Sequence, residues 1–227
     1  MKKLISLIVL ALCSLTTFAQ KDVTTFLGIP VNGTKSEMQR KLIGKGYVYK
    51  NVGGDEFLSG EFNGTKVNLY IVTNNNKVYR IMVADAQNQD EANIKIRFNR
   101  LVSQFQNNKR YTALDKDFTL SDKEDISYGM SVNNKTYEAS FYQNPENIDT
   151  IAVQNRVRQE LLAKYSEEQL KNPTDEINED AQSNLNNVLM EILSKKFVWF
   201  RIYEHLGEYY ICMYYDNEYN HANGEDL

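Results

Sequence analysis

Cysteine, histidine and proline are scarce in this sequence. Its 227 residues include two cysteines, two histidines and three prolines. Cys13 lies in a stretch that we expect to be removed, which leaves Cys212 as the only cysteine. A lone cysteine cannot form an intramolecular disulfide, and so few histidines and cysteines argue against a typical zinc site. The fold must therefore rely on a hydrophobic core, for which about 200 residues suffice.

Catalytic signatures are also missing. The sequence has no G-x-S-x-G motif, no phosphate-binding G-x-x-x-x-G-K-[ST] loop and no G-x-G-x-x-G fingerprint. Cys212 and His205 could supply a nucleophile and a base, but a hairpin turn at Leu206-Gly207 separates them. Such a turn places His205 opposite Glu208. Cys212 then lies opposite Arg201, more than about 12 Å from His205. We predict no catalytic, cofactor-binding or metal-binding residues and no enzymatic activity.

The chain has no polybasic stretch. Its formal net charge is −4, and removal of Lys2 and Lys3 takes this to −6. Nucleic acids and anionic lipids bind through clustered positive charge, so both are poor partner candidates. We expect a protein partner instead, whose identity the sequence does not reveal.

The most informative segment present is the first twenty residues. The basic pair Lys2-Lys3 precedes a short apolar run, Leu4–Leu12, and Ala19 places a small residue near the end. The run is shorter than the ~20 residues that span a membrane, so we interpret residues 1–20 as a secretory signal peptide. The mature protein is then expected in the periplasm or outside the cell. Lipid anchoring at Cys13 is the less favoured alternative, because a bulky leucine precedes this cysteine.

The first half of the mature chain predicts helices around an antiparallel meander. Thr34 and Glu37 form a capping-box pattern that starts a helix at about 35–44. A second helix follows the spacing of Ile94 to Phe105, capped by Asp90 or Asn88, with its basic residues Lys95, Arg97 and Arg100 facing solvent. Asn63-Gly64 is a strong hairpin signal. Four strands are predicted between the two helices: Tyr47–Lys50, Phe57–Phe62, Val67–Thr73 and Lys77–Ala84. Alternation along the last of them places Val78 and Arg80 on the same face, together with Met82 and Ala84.

The second half predicts more strands and a helical insertion at 150–195, whose second helix is capped by Thr174 and carries a long apolar stripe from Ile177 to Leu193. The predicted strands are Tyr111–Leu114, Ile126–Val132, Tyr137–Gln143, Phe197–Tyr203 and Tyr209–Tyr215, followed by a loop at 216–227. The fold class is therefore α+β, with antiparallel β-meanders and flanking helices. Ser127-Tyr128-Gly129 weakly echoes Leu58-Ser59-Gly60. Two arrangements stay open: a tandem of helix-plus-meander units at 21–108 and 109–227, or one continuous domain with a single sheet.

Several short segments resemble known families. The signal end Phe18-Ala19-Gln20, the segment Phe26–Pro30 with Met38, and the terminus Asn223–Leu227 look like those of uncharacterised secreted proteins of Bacteroidota-type bacteria. The helix-plus-meander pattern is similar to β-lactamase-inhibitor-like and outer-membrane assembly lipoprotein domains. That resemblance implies a non-enzymatic protein-binding module. Asp149-Thr150-Ile151 is similar to the acceptor triplet of bacterial O-glycosylation, which would make Thr150 the modified residue.

Three functions follow from these observations. The first is an exported interaction or binding module of the cell envelope, which acts through a tyrosine-bearing sheet face and requires rings that are not all buried. The second is an inhibitor of a secreted or periplasmic enzyme, with a protruding loop or a concave face. The third and least favoured is a carboxylate-based hydrolase, with two acidic side chains across a cleft. Glu204 and Glu208 near the final turn are one such pair, although we interpret them as solvated charges.

Overall fold

The computed structural model describes residues 22–115, 117–146 and 148–222. The predicted signal peptide, Cys13 and the terminus Asn223–Leu227 lie outside these residues. The helices of the described part are Lys35–Gly44 (α1), Glu91–Gln106 (α2), Ile126–Ser131 (α3), Thr150–Leu162 (α4), Glu167–Lys171 (α5) and Asp175–Ser194 (α6). Its strands are Thr25–Phe26 (β1), Ile29–Pro30 (β2), Val48–Val52 (β3), Asp55–Phe62 (β4), Thr65–Asn74 (β5), Lys77–Asp85 (β6), Tyr111–Ala113 (β7), Glu138–Gln143 (β8), Lys196–His205 (β9) and Glu208–Asn217 (β10).

Strands β3 to β10 form one antiparallel sheet of eight strands. Their order is β3-β4-β5-β6-β10-β9-β8-β7, and β1 and β2 form a separate two-stranded ribbon. The strands of the first half are adjacent, and those of the second half follow in reverse order. The two halves meet where β6 pairs with β10, with Ala84 opposite Cys212. The predicted α+β class, with antiparallel meanders and flanking helices, is confirmed.

The main core lies on one face of this sheet, which we call the inner face. Alternate residues of each strand point to it, as Val198, Phe200 and Ile202 do on β9. The apolar sides of α1 and α2 cover it, through Met38 and Leu42 in α1 and through the predicted stripe of α2. The α2 residues of that stripe are all buried: Ile94, Phe98, Leu101, Val102 and Phe105.

Both covering helices begin at caps that the sequence predicts. The Thr34 hydroxyl accepts a hydrogen bond from the Glu37 backbone N–H (3.3 Å), and the Glu37 carboxylate accepts one from the Thr34 N–H (3.0 Å). Asp90 caps α2 by accepting from the Asn93 N–H at 2.8 Å. These bonds satisfy backbone donors that have no partner inside the helix. The helices therefore start at fixed points and present their apolar sides to the sheet.

The hairpin turns follow local sequence in the same way. Asn63 and Gly64 have φ angles of 52° and 73°, and Leu206 and Gly207 have 53° and 79°. Two successive positive φ values define the turn that matches the natural twist of paired strands. The second turn sets the pairing of the last two strands as predicted, with Glu208 opposite His205.

The predicted strand Ile126–Val132 is wrong, because this segment contains helix α3. Asp125 caps the helix by accepting from the Tyr128 N–H at 2.7 Å. The alternation of apolar residues in Ile126–Val132 imitates a strand, and a helix of six residues is too short to show a helical period. Gly129 matters here because a Cβ at this position would clash with the Tyr137 hydroxyl.

The predicted facing of β6 is wrong at its start. The sequence places Val78 on the same face as Arg80, but Val78 lies in the core. The pairing with β5 shifts by one residue, since Val72 lies opposite Arg80 whereas Thr73 lies opposite Val78. Tyr79 is thus an extra residue in the ladder, and such a bulge reverses the alternation.

The two ends of the mature chain also differ from the prediction. The sequence makes α1 the first element, but the β1-β2 ribbon precedes it, and its strands are too short to show alternation. The predicted loop at 216–227 begins two residues too early, since β10 runs to Asn217. An ion pair with Arg80 lets Asp216 stay buried at the end of this strand.

The insertion between β8 and β9 is helical, as predicted. Asp149 caps α4 by accepting from the Ala152 N–H at 2.9 Å, so the Asp149-Thr150-Ile151 triplet lies at a helix start instead of in a loop. Thr174 caps α6 after Asn172-Pro173 ends α5. Of the long apolar stripe predicted for α6, only Ile177 and Val188 are buried. In the described ranges, no helix is both long enough and apolar enough to cross a membrane.

Candidate functional site: the aromatic outer face

The face of the sheet opposite the core, the outer face, carries a second apolar cluster. Its buried members are Ala84, Cys212 and Tyr214, which lie at the junction of β6, β10 and β9. Larger, half-buried side chains surround them. We call the following six side chains the aromatic face: Tyr70, Met82, Trp199, Tyr203, Tyr210 and Tyr214.

The aromatic face is built from strand residues alone. The core cluster contains side chains from α1 and α2, whereas the cluster on the outer face contains none from any described helix. Its members rest on small residues, Ala84 and Cys212, and shield them from water. Tyr70, Trp199 and Tyr210 keep part of their surface in solvent. A buried apolar face usually has a second layer over it, and no side chain of a described helix belongs to this cluster.

Ring stacking fixes the side chains of the aromatic face. Trp199 and Tyr214 stack with centroids 4.0 Å apart and planes 18° apart. Tyr203 and Tyr210 stack at 5.6 Å and 21°. The hydroxyls of Tyr203 and Tyr214 are 2.7 Å apart and share a hydrogen bond. Burial, followed by this hydrogen bond, raises the pKa of Tyr214, so its hydroxyl stays protonated. Stacking and this hydrogen bond together restrain the side-chain torsions of the four rings.

One buried carboxylate holds an edge of this surface in place. Asp216 accepts from Arg80 through Nε (2.6 Å) and Nη2 (2.7 Å), and from Trp199 Nε1 at 3.0 Å. The Arg80 guanidinium lies 4.9 Å from the centroid of the Tyr214 ring. Asp216 thereby orients the indole of Trp199 while Arg80 contacts the ring stacked on it.

A second arginine on the same face has no such partner. Arg201 lies on β9 between Trp199 and Tyr203, and its Cζ is 4.8 Å from the centroid of the Tyr203 ring. Its Nε is buried without a hydrogen-bond partner, the one such side-chain nitrogen or oxygen in the described part of the chain. Register places Cys212 opposite it on β10 and Glu138 opposite it on β8.

A cleft of about 420 Å³ adjoins the outer face where α6 leads into β9. Tyr142 and Phe197 form one wall, with ring centroids 5.9 Å apart. Lys195, Glu218 and His221 supply charged or titratable groups to the same cleft. Partial burial raises the pKa of the Glu218 carboxyl.

The structure places the sequence-derived candidates Cys212 and His205 far apart in register, as predicted. Cys212 is buried opposite Arg201, and His205 is exposed opposite Glu208 at the end of the hairpin. Burial raises the pKa of the Cys212 thiol to about 12. Glu204 accepts a hydrogen bond from the Gly207 N–H at 2.5 Å, so its carboxylate stabilises the turn.

We predict that Cys212 reacts slowly with thiol reagents in the folded protein. With a pKa of about 12, roughly one thiol in ten thousand is ionised at pH 8, and the thiolate is the reactive form. Ellman's reagent should label Cys212 at pH 8 only after denaturant unfolds the chain. A Tyr128→Cys variant supplies the control, since Tyr128 is 56% exposed and its replacement should react at once. Equal labelling rates at the two positions would contradict the prediction.

The sequence singles out neither the individual rings of the aromatic face nor its two arginines as site residues. Arg201 is the only charged residue in Phe197–Tyr203, which is the one signal that could have marked it. Arg80 similarly interrupts the apolar part of β6. In the ranges that the structure describes, no three His, Cys, Asp or Glu side chains are arranged to hold a metal ion.

Comparisons of the chain with models of known protein families, with curated proteins and with solved structures found no match.

Proposed function

We propose that this chain is an exported, non-enzymatic protein-binding module, and that its aromatic face is the surface that contacts a protein partner in the cell envelope or outside the cell. The observation that carries the proposal is the apolar cluster on the outer face, which consists of strand residues and includes no side chain of a described helix. Export rests on the signal-peptide pattern of residues 1–20.

The residue types of the aromatic face support a protein partner. Tryptophan, tyrosine and arginine dominate the binding energy of protein interfaces, because each combines a large contact area with hydrogen-bonding atoms. The stacked pair Tyr203–Tyr210 continues the surface toward the β9–β10 turn. The stacked pair Trp199–Tyr214 lies where both strands have a neighbour on each side, since Trp199 is opposite Ser140 of β8 and Tyr214 is opposite Met82 of β6. Such strands move little, so a partner would meet a preformed surface.

Capture of the partner with matched variants tests the proposal. Immobilised mature chain, residues 21–227, is incubated with native envelope and medium fractions, and retained proteins are quantified by mass spectrometry. Two face variants, Trp199→Ala and Tyr210→Ala, are compared with Tyr128→Ala, which removes an exposed ring of α3. We expect one protein that the wild type and Tyr128→Ala retain and that both face variants lose.

Affinity measurements with the purified partner then give the size of the effect. Loss of a central interface ring should raise Kd by about tenfold or more, and Tyr128→Ala should leave it unchanged. Circular dichroism and thermal midpoints establish that the face variants are folded. The proposal fails if no protein is enriched by the wild type over both face variants, or if purified partner binds all four chains equally.

A further inference from the structure

Arg201 has no hydrogen-bond or ion-pair partner among the described residues, and this indicates which chemical group a protein partner would place on the aromatic face. No hydrogen bond within the described chain uses any nitrogen of this side chain, and no carboxylate of the described residues forms an ion pair with it. Its Nε is buried, whereas its terminal nitrogens are open to solvent, since only Nε is both buried and unpaired. Nε is thus a buried donor without a partner inside an apolar surface, which destabilises the free chain, while the terminal nitrogens stay available to water or to a partner.

Arg80 and Arg97 each pair with a carboxylate, and Arg201 has no such partner in the part of the chain that the structure describes. Arg80 pairs through Nε and Nη2 with the two oxygens of Asp216. Arg97 pairs through Nε and Nη2 with the two oxygens of Asp85. Side-on pairing with one carboxylate satisfies the planar guanidinium better than any single acceptor. Arg201 is partly buried, as Arg80 is, but it has no such carboxylate partner within the described ranges.

The chain's own acidic residues do not fill this place. Glu138 lies opposite Arg201 across the β8–β9 pair, and its side chain is exposed and forms no ion pair with the guanidinium. Cys212, opposite on β10, is apolar in behaviour because its thiol stays protonated. Trp199 and Tyr203 flank Arg201 along the strand. A carboxylate that reaches Arg201 from above therefore enters an environment lined by rings, where water is displaced and the ion pair is strengthened.

We propose that Arg201 is the centre of a carboxylate-binding subsite on the aromatic face, and that it takes an aspartate or glutamate side chain of the protein partner, flanked there by apolar or aromatic residues. The subsite rests on the proposed function, because it describes the partner of the same face. The partner's carboxylate pairs with the guanidinium, and its apolar neighbours pack on Trp199 and Tyr203.

Two short peptides test the subsite without the natural partner. Acetyl-Phe-Glu-Phe-amide carries one carboxylate between two rings, and acetyl-Phe-Gln-Phe-amide is its uncharged isostere. Binding is followed by nuclear magnetic resonance through the Nε–H signal of Arg201, assigned by its loss in Arg201→Lys, and through the indole N–H of Trp199. The Glu peptide should bind about tenfold more tightly than the Gln peptide and shift both signals.

Variants distinguish carboxylate recognition at Arg201 from nonspecific hydrophobic binding to the rings. Arg201→Gln should abolish the preference for the Glu peptide while weak binding to the rings persists. Glu138→Gln should strengthen binding of the Glu peptide, because it removes a negative charge directly opposite Arg201 on the neighbouring strand. Arg100→Gln provides the control, since Arg100 is exposed on α2, on the other side of the sheet.

A stability measurement distinguishes a binding role from a structural one. If the unpaired guanidinium serves binding and does not stabilise the fold, the thermal midpoint of Arg201→Met should equal or exceed that of the wild type. A clearly lower midpoint would show that Arg201 stabilises the fold, and would overturn the proposal. Equal binding of the two peptides, or binding of neither, would also overturn the subsite. Loss of partner capture by Trp199→Ala and Tyr210→Ala tests the proposed function separately.

Discussion

Replacement of Asp85 by alanine is expected to destabilise the protein by about 3–5 kcal/mol, because it leaves the buried guanidinium of Arg97 without its counter-ion. Asp85 ends β6 on the inner face, and the side chains of both residues are almost completely buried. The measurement is the free energy of unfolding of the mature chain, from urea denaturation followed by circular dichroism.

The effect is large because this ion pair joins four elements where the two halves of the sheet meet. Arg97 lies on α2 and donates to both oxygens of Asp85, through Nε (2.6 Å) and Nη2 (2.5 Å). Its Nη1 donates to the Thr65 hydroxyl of β5 at 2.9 Å. Asp85 also accepts from the Ile211 backbone N–H of β10 at 3.2 Å. Removal of the carboxylate therefore leaves several buried donors without an acceptor.

A double variant distinguishes two causes of the destabilisation: the unpaired buried charge of Arg97 and a simple loss of contacts. Asp85→Leu with Arg97→Met replaces both charges by apolar side chains, so no buried charge is left unpaired. We expect the double variant to recover most of the stability that Asp85→Ala loses. The exposed pair Arg156–Glu191 provides a control, and Glu191→Gln should leave the denaturation midpoint nearly unchanged. A double variant less stable than Asp85→Ala would contradict the proposed cause.

The elements that the sequence predicts correctly are those with local signals. The capping box at Thr34 and the turn at Asn63-Gly64 act through backbone groups only a few residues apart, so the sequence contains all that determines them. The stripe of α2 is long enough to show a helical period. The same pattern suggests that Arg97 faces solvent, and this is wrong because Asp85, twelve positions earlier in the chain, reaches it only in the folded sheet.

The candidate site was predictable in kind but not in detail. The abundance of tyrosine indicates a tyrosine-bearing sheet face, and the outer face of the sheet carries partly exposed rings. The sequence could not say which rings these are, since β9 and β10 are apolar or aromatic on both sides. The bulge at Tyr79 and the lack of a partner for Arg201 depend on contacts between distant strands, which no local pattern records.

The packing of α2 determines which side of β9 belongs to the core. Phe200 and Phe197 lie on opposite sides of this strand, so a comparison of the two tests that assignment. Phe200 is fully buried on the inner face, with its ring centroid 5.2 Å from that of Phe98 and 5.6 Å from that of Phe105 in α2. Phe197 lies three residues earlier and is half-buried on the outer face. The two side chains are chemically identical, so a difference between their alanine variants reflects their different surroundings on the two faces of β9.

Phe200→Ala is expected to lower the free energy of unfolding by about 3–5 kcal/mol, because it opens a cavity between rings that cannot close around it. Phe197→Ala should cost less than about 1 kcal/mol, since solvent fills the space it leaves. Urea denaturation of both variants, with unchanged slopes, gives the comparison. Domains of this size are stable by only about 5–15 kcal/mol, so Phe200→Ala should unfold at much lower urea while Phe197→Ala stays close to the wild type. Similar midpoints for the two variants would mean that β9 is covered on both faces, which would also remove the free surface on which the proposed partner binds.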